Sequence, residues 1–287
     1  MDVSTPQLAA LLAIADLGTF EAAARHLHVT PSAVSQRIRA LESAAGQVLV
    51  RRGTPCAPTA AGERLVAVAR QTQLLLSEVQ LAPAVVDLPL AVNADSLATW
   101  WRPVVGEVAT WEDVTLRLHV EDQAFSSDLL RRGEVLAAVT SEPHAVQGCA
   151  VERLGSMRYV PAAAPGFAHR WHTDHGYDWG AMPAVVFNDK DDLQHEVLRR
   201  RGFERARIVH RVPTSADFHE SVRLGLGWAA IPEPQLHPDL ESGALVALSR
   251  HNHVDVDLYW QRWRLESPLL DRLTRAVRLA AGEGLRP

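Results

Sequence analysis

Thr30-Pro31-Ser32-Ala33-Val34-Ser35-Gln36-Arg37-Ile38-Arg39-Ala40-Leu41 decides the fold of the N-terminal end of this 287-residue chain. Thr30 offers a side-chain oxygen to the free N–H groups of a helix start. Pro31 stands at the first helical position, where its missing N–H costs nothing. The helix so opened runs to about Ala45, and it has two faces. Val34, Ile38 and Leu41 recur at helical spacing and call for burial. Ser32, Ser35, Gln36 and Arg39 line the opposite side with short hydrogen-bonding groups and a guanidinium, where a merely solvated helix would more often carry Glu and Lys. Upstream, Leu8, Leu11, Leu12 and Ala15 form a first apolar stripe that stops at Gly18. Thr19 then caps a short second helix whose face is Phe20, Ala23, Ala24 and Leu27. The turn His28-Val29 separates it from the third.

A helix entering the major groove needs small residues at its leading end and amide or guanidinium groups to meet base edges. Gln36 has the geometry to pair with adenine, and Arg39 to reach guanine or phosphate. Downstream, Val48 to Gly53 reads as a short strand, Thr54-Pro55 as a turn and Cys56 to Pro58 as the return. This has the shape of a wing, with Arg51 and Arg52 placed for phosphates or the minor groove. Across 25–52 five arginines face one acid, Glu42, although the chain as a whole carries a net charge of −5. The first 87 residues balance at 7 Arg and 7 Asp+Glu, so the acidity belongs to the remainder. A local basic patch on an acidic protein suits a localised anion contact. The competing reading of these residues is a plain three-helix bundle with a polar face.

From Thr59 to Ala82 the chain holds helix formers without proline. Leu65, Val68, Thr72, Leu75 and Val79 fall on alternating steps of three and four, a coiled-coil seam on a helix of roughly 36 Å. Such a seam predicts a homodimer, with two reading heads on one two-fold assembly; the alternative is a helix packed on its own domain. Pro83, Asp87 and Pro89 mark the boundary.

The last two hundred residues alternate strand and helix patterns: strands at 88–93, 114–120 and 135–140 with helices at 96–110 and 123–132, then strands at 184–188, 208–212 and 228–231 with helices at 191–201 and 214–224. That order predicts parallel sheets with crossover helices in two similar α/β halves. The tail, 254–263 and 268–281, reads as a strand and a returning helix. Ligands of such sheets bind beyond the carboxyl ends of strands. Those ends carry Asn93, Asp95, Ser96, Glu121, Asp122, Thr140, Asn188, Asp189, Ser215 and Asp217. Ser96 or Ser215 at a helix start suits a carboxylate, and the acids suit a cationic group. Together they fit an amino acid such as lysine or arginine, unless the Asp and Ser side chains only cap helices.

Ala22-Ala23-Ala24-Arg25-His26-Leu27, Thr30 to Ile38, Leu41-Glu42 and Thr59-x-x-Gly62 resemble the LysR-type transcriptional regulators. The resemblance implies an α+β multidomain fold: an N-terminal winged helix-turn-helix, a linker helix, and a C-terminal α/β effector domain of the periplasmic-binding-protein-like (type 2) class with two subdomains. It implies boundaries at 1–58, 59–87 and 88–287, with subdomain I at about 88–162 and 264–287 and subdomain II at about 163–263. By position, the DNA contacts of the family fall on Thr30, Pro31, Ser32, Ser35, Gln36, Arg37 and Arg51. Pro58 departs from the family pattern, which often has Leu there. Ala91 to Trp100, Val120-Glu121-Asp122 and Leu130 to Val135 look like the ArgP/LysG branch, which controls basic amino-acid export. That likeness implies a lysine or arginine co-effector and no other cofactor. It also implies a double-stranded DNA operator, a homodimer through the linker helix within a homotetramer, contact with RNA polymerase, and a cytoplasmic, nucleoid-associated location without a membrane. A low-specificity architectural or origin-binding protein, or a regulator with a different small molecule, stays open.

Cys56 and Cys149 match no disulfide framework or zinc spacing. His169, His172 and His175, spaced by three, read as a surface His-rich helix or loop rather than a metal site. No phosphate loop, nucleophile elbow or Cys–His pattern appears, so no enzyme is expected.

Overall fold

Ser4 and Gln7 start the first helix by a local bond: the Ser4 N–H donates to Gln7 Oε1 at 2.8 Å. Helix α1 (Thr5–Leu17) ends at Gly18, whose φ of 71° is open to glycine at little cost. Helix α2 (Phe20–His26) follows, with Thr19 Oγ1 accepting from the Ala22 N–H. Helix α3 (Pro31–Ala45) starts on Thr30, whose Oγ1 accepts from the Ala33 N–H at 3.2 Å. Val34, Ile38 and Leu41 are buried with Leu11, Ile14, Ala23 and Ala24 in one core, and each large aliphatic side chain contributes about 1.5–3 kcal/mol by leaving water. The wing is a two-residue ladder. β1 (Val50–Arg51) runs antiparallel to β2 (Ala57–Pro58), with Val50 opposite Pro58. Pro58 is tolerated because the ladder ends there. Helix α4 (Ala60–Val79) begins on Thr59, which accepts from the Gly62 N–H and donates to the Val48 carbonyl.

The computed structural model describes residues 3–79, 85–121, 126–249 and 251–287. Part of the helix expected to reach Ala82, and the start of the one expected at 123, therefore lie outside the described residues. Chain contacts divide the molecule into two units: Met1–Val92 with Glu107–Glu152 and Trp260–Arg275, and Asn93–Gly106 with Arg153–Tyr259 and Ala276–Pro287.

Along the chain, β3 (Val86–Val92) of the first unit is followed by α5 (Ala94–Ala98) and α6 (Arg102–Val108). Sequence periodicity predicts one helix over 96–110. The chain breaks it at Thr99 (φ −122°, ψ −104°) and buries Trp100 and Trp101 at the break. β4 (Val114–Val120), α7 (Ser126–Arg131) and β5 (Ala137–Thr140) complete the expected parallel set, with β3 paired to both β4 and β5.

β6 (Cys149–Ala163) is a long strand that the sequence pattern does not announce. Beyond it come α8 (Pro165–Arg170), the hairpin β7 (His172–Thr173) and β8 (Gly176–Tyr177), then β9 (Ala184–Val186), α9 (Leu193–Arg199), β10 (Val209–Arg211), α10 (Ser215–Arg223), β11 (Ala229–Pro232), α11 (Glu233–Ser242), β12 (Val246–Ala247), β13 (Val254–Trp263) and α12 (Pro268–Gly284). β9 and β10 pair in parallel as expected. The strand expected at 228–231 joins β9 in parallel only through Trp228 opposite Ala184; β11 and β12 then lie antiparallel on β6. Val185, Val222, Ala229, Ile231 and Leu236 form the core of this unit. No helix among the described residues is long and apolar enough to cross a membrane.

Candidate functional site

The two faces of α3 separate as their chemistry requires. Thr30, Pro31, Ser32, Gln36 and Arg39 are exposed, Ser35 and Arg37 are half-buried, and the apolar face is 0–2% exposed. Thr30 Oγ1 and Ser32 Oγ lie 2.9 Å apart, so the leading turn presents paired hydroxyls. Arg51 and Arg52 are exposed at the wing, and the Arg52 guanidinium sits 5.6 Å above the Phe20 ring.

Glu42, the acid of this patch, faces inward. Its Oε1 accepts from the N–H groups of Leu49 (2.9 Å) and Val50 (3.3 Å), fastening α3 to the wing. Among the described residues, none of Arg25, Arg37, Arg39, Arg51 and Arg52 makes an ion pair. The surface is therefore a neutral hydrogen-bonding stripe flanked by uncompensated guanidinium groups, the combination that positions on phosphate and reads base edges.

The second candidate site disperses. In the second unit, the chain leaving β3 places Asn93, Asp95 and Ser96 at the start of α5. Asn93 is 2% exposed and its Oδ1 has no hydrogen-bond partner. Asp95 Oδ2 accepts from the Tyr159 hydroxyl at 2.9 Å, and buried Ser96 Oγ accepts from Trp100 Nε1 at 2.9 Å. Helix α10 packs beside α5 and brings Ser215, half-buried, into the same neighbourhood. Tyr159 was invisible to sequence reasoning because it sits on the unannounced strand β6.

Other members of the set serve their own backbone or neighbours. Asn188 Oδ1 accepts from the Lys190 N–H, Asp189 pairs with Arg211 at 2.6 Å, and Asp217 accepts from Thr214 Oγ1. Glu121, half-buried, and Thr140, fully buried with its Oγ1 accepting from the Glu142 N–H, belong to the first unit; Asp122 lies outside the described residues. The histidines take three different places, His169 on α8, His172 on β7 and His175 in the hairpin turn. All are exposed, and His172 packs edge-on against Tyr177.

Two family models match in tandem. The bacterial regulatory helix-turn-helix protein model of the lysR family covers residues 6–63, and the LysR substrate binding domain model covers 87–281. The lysine export transcriptional regulatory protein LysG of Corynebacterium efficiens is 51% identical over 282 residues, spanning 96% of this chain and 97% of its own length. The crystal structure of ArgP from Mycobacterium tuberculosis matches with a TM-score of 0.87 at 43% identity, covering 100% of this chain and 99% of that one. The full-length LysG of Corynebacterium glutamicum with bound effector Arg matches at 0.80 and 46%, covering 99% and 100%. A DNA-reading head and a ligand-binding domain joined by one helix, in that order and over nearly the whole chain, place this protein: it belongs to the LysR family of DNA-binding transcriptional regulators.

Proposed function

We propose that this chain is a ligand-gated regulator that senses lysine or arginine and controls a gene for basic amino-acid export. The similarity to a lysine export regulator, and to a relative crystallised with arginine, supports this choice of ligand. The observation that carries it is the start of α5. Asn93 Oδ1 is a buried acceptor without a donor, in the same turn as the Asp95 carboxylate. A buried unpaired acceptor costs about 1–3 kcal/mol, and a guanidinium or ammonium group supplies the missing N–H. Ser96 and Ser215, with Asn188, Asp189 and Asp217 of the same unit, are the further residues proposed to meet the ligand.

Thr30, Pro31, Ser32, Ser35 and Gln36 read the operator, while Arg37, Arg39, Arg51 and Arg52 anchor it. Residues 1–58 act as the reading head, 59–87 as linker and hinge, and 88–287 as the effector domain, with subdomains at about 88–162 plus 264–287 and 163–263. Val68, Leu75 and Val79 are 47%, 38% and 73% exposed on α4, an apolar row available to a second copy. A homodimer through this helix, paired again into a tetramer, sets two heads on a split site, and RNA polymerase is the downstream partner.

Calorimetry of the full-length protein with the common amino acids tests the ligand. Lysine or arginine binds, and Asp95→Asn weakens that binding about tenfold, equivalent to about 1.4 kcal/mol. Silence toward every basic amino acid overturns the ligand and leaves the DNA reading intact. Footprinting against random competitor then separates a specific operator protein, with a preference of about 10³ or more, from an architectural one.

A further inference from the structure

The inward face of α4 carries a buried guanidinium that neither the DNA surface nor the apolar row uses. Arg70 is 6% exposed. Its Nε–H donates to the Gly133 carbonyl at 2.7 Å, in the turn after α7. Its two Nη groups donate to both oxygens of Asp16, near the end of α1, at 3.2 and 2.5 Å. Asp16 also accepts from Arg117 of β4 at 3.4 Å, and Arg117 is held by Asp87 of β3 at 2.6 Å. The two cations and two carboxylates form a closed set running from the reading head, through α4, to the parallel sheet of the same unit.

The backbones meet at the same place. Gly133 has φ 69°, and a Cβ there would stand 2.4 Å from both N and Cα of Ala67, so α4 rests directly on the turn. A cavity of about 540 Å³ opens beside it, lined by Leu8 and Leu12 of the head, Leu74 and Leu76 of α4, and Val86 of β3.

This chemistry suits a joint that opens and recloses. Apolar burial alone would fasten the head without fixing its orientation, whereas a forked guanidinium bonded to a carboxylate and a carbonyl accepts one geometry. Asp16 and Arg70 stay on the head side, since Val66 and Ala69 of α4 share its core. Parting breaks the Arg70–Gly133 bond and the Asp16–Arg117 pair, whose groups recover hydration, which offsets much of what these contacts contribute.

We propose that Arg70, Asp16 and Gly133 form an intramolecular latch that holds the reading head in one orientation against the β3–β4 sheet, and that the chain passes between latched and released states. β3 leads directly into Asn93 and Asp95, so the strand that leads into the proposed ligand residues belongs to the sheet the latch grips. The latch itself does not depend on which ligand binds.

The test uses full-length protein without DNA or ligand. Spin labels are attached at exposed Ser43 on α3 and exposed Glu112 before β4, in a Cys56→Ser background, with unlabelled protein in excess so that each assembly holds one labelled chain. Pulsed distance measurement on the otherwise unaltered chain gives one dominant separation. Asp16→Asn removes a charge at a partly exposed site, and Gly133→Ala wedges the turn. Each raises the population of a second separation about tenfold or more, Asp16→Asn by weakening charge-assisted bonds and Gly133→Ala by the clash of its Cβ with Ala67. Hydrogen exchange across α3 stays unchanged in both, because the core of the head is untouched. Identical distance distributions in the parent and both variants overturn the latch. Loss of α3 protection in step with the distance change also overturns it, since Arg70 would then be part of the fold of the head.

Discussion

Two helical glycines with opposite surroundings test the close packing between the wing and α4. Gly62 lies in the first turn of α4. A Cβ built there meets the Leu49 carbonyl oxygen at 2.1 Å, its carbon at 3.1 Å and Pro58 Cβ at 3.2 Å. The oxygen has little room to yield. It accepts from the Thr59 N–H at 2.9 Å, and the Leu49 N–H is held by Glu42. Overpacking of this kind costs about 1–3 kcal/mol, and losing the Leu49–Thr59 bond adds about 1 kcal/mol. Gly62→Ala is therefore expected to destabilise the first unit by about 2–4 kcal/mol, which lowers the melting temperature by about 5–10 °C for a unit of this size. Operator affinity falls with it, because β1 carries Arg51. Gly282 in α12 has nothing within 4 Å of the same added atom. Gly282→Ala gains helix propensity of up to about 1 kcal/mol and raises the melting temperature. Thermal unfolding of both variants, with operator titration of each, decides the matter. A Gly62→Ala protein that melts at or above the parent temperature refutes the packing argument.

Gln36→Ala should cost about 1–3 kcal/mol at particular base pairs and leave the salt dependence of binding unchanged. Arg51→Ala should weaken all DNA alike and reduce the salt slope by about one for each phosphate it no longer neutralises, so indistinguishable behaviour in operator and salt titrations refutes the division into reading and anchoring. Burial, and then the neighbouring Arg117, hold the His119 imidazole below its ordinary 6.5, with Arg70 acting the same way and Glu134 and Asp16 opposing. The unfolded chain thus takes up this proton first. Stability is full above about pH 6.5 and declines as pH falls from there toward the folded-state value. Urea unfolding across that window should show the decline flattened in His119→Gln, and an unchanged profile removes the assignment.

The head was legible because its signals are local. Thr19 and Thr30 bond to N–H groups three residues on, and Gly18 and Gly46 take the left-handed turn their helices need. β4 and β13 were legible to the residue, since each is a long run of strand formers. β6 was not. Its burial does not alternate, Gly155 interrupts it, and its partners in the second unit, β11 and β12, come about seventy to eighty residues later. The proposed ligand residues mix local with distant partners. Asn188 and Asp217 bond within three residues and behave as turn and cap, which local spacing foretells. Asp95 takes its partner from Tyr159 and Arg70 takes its own from Gly133, each more than sixty residues distant. No periodicity carries that information.

Net charge is a poor guide to the nucleic-acid surface of this protein for a related reason. The chain is acidic overall, yet many arginines outside the head are matched: Arg158 with Asp255, Arg211 with Asp189, Arg262 with Asp271, Arg286 with Glu233. Within 25–52 the one acid, Glu42, is turned inward to bond backbone amides of the wing. The five guanidinium groups around α3 and the wing therefore carry charge that no ion pair among the described residues offsets, while many arginines of the remainder are neutralised at close range. It is the pairing of charges, rather than their sum, that lets an acidic molecule present a cationic face to a duplex.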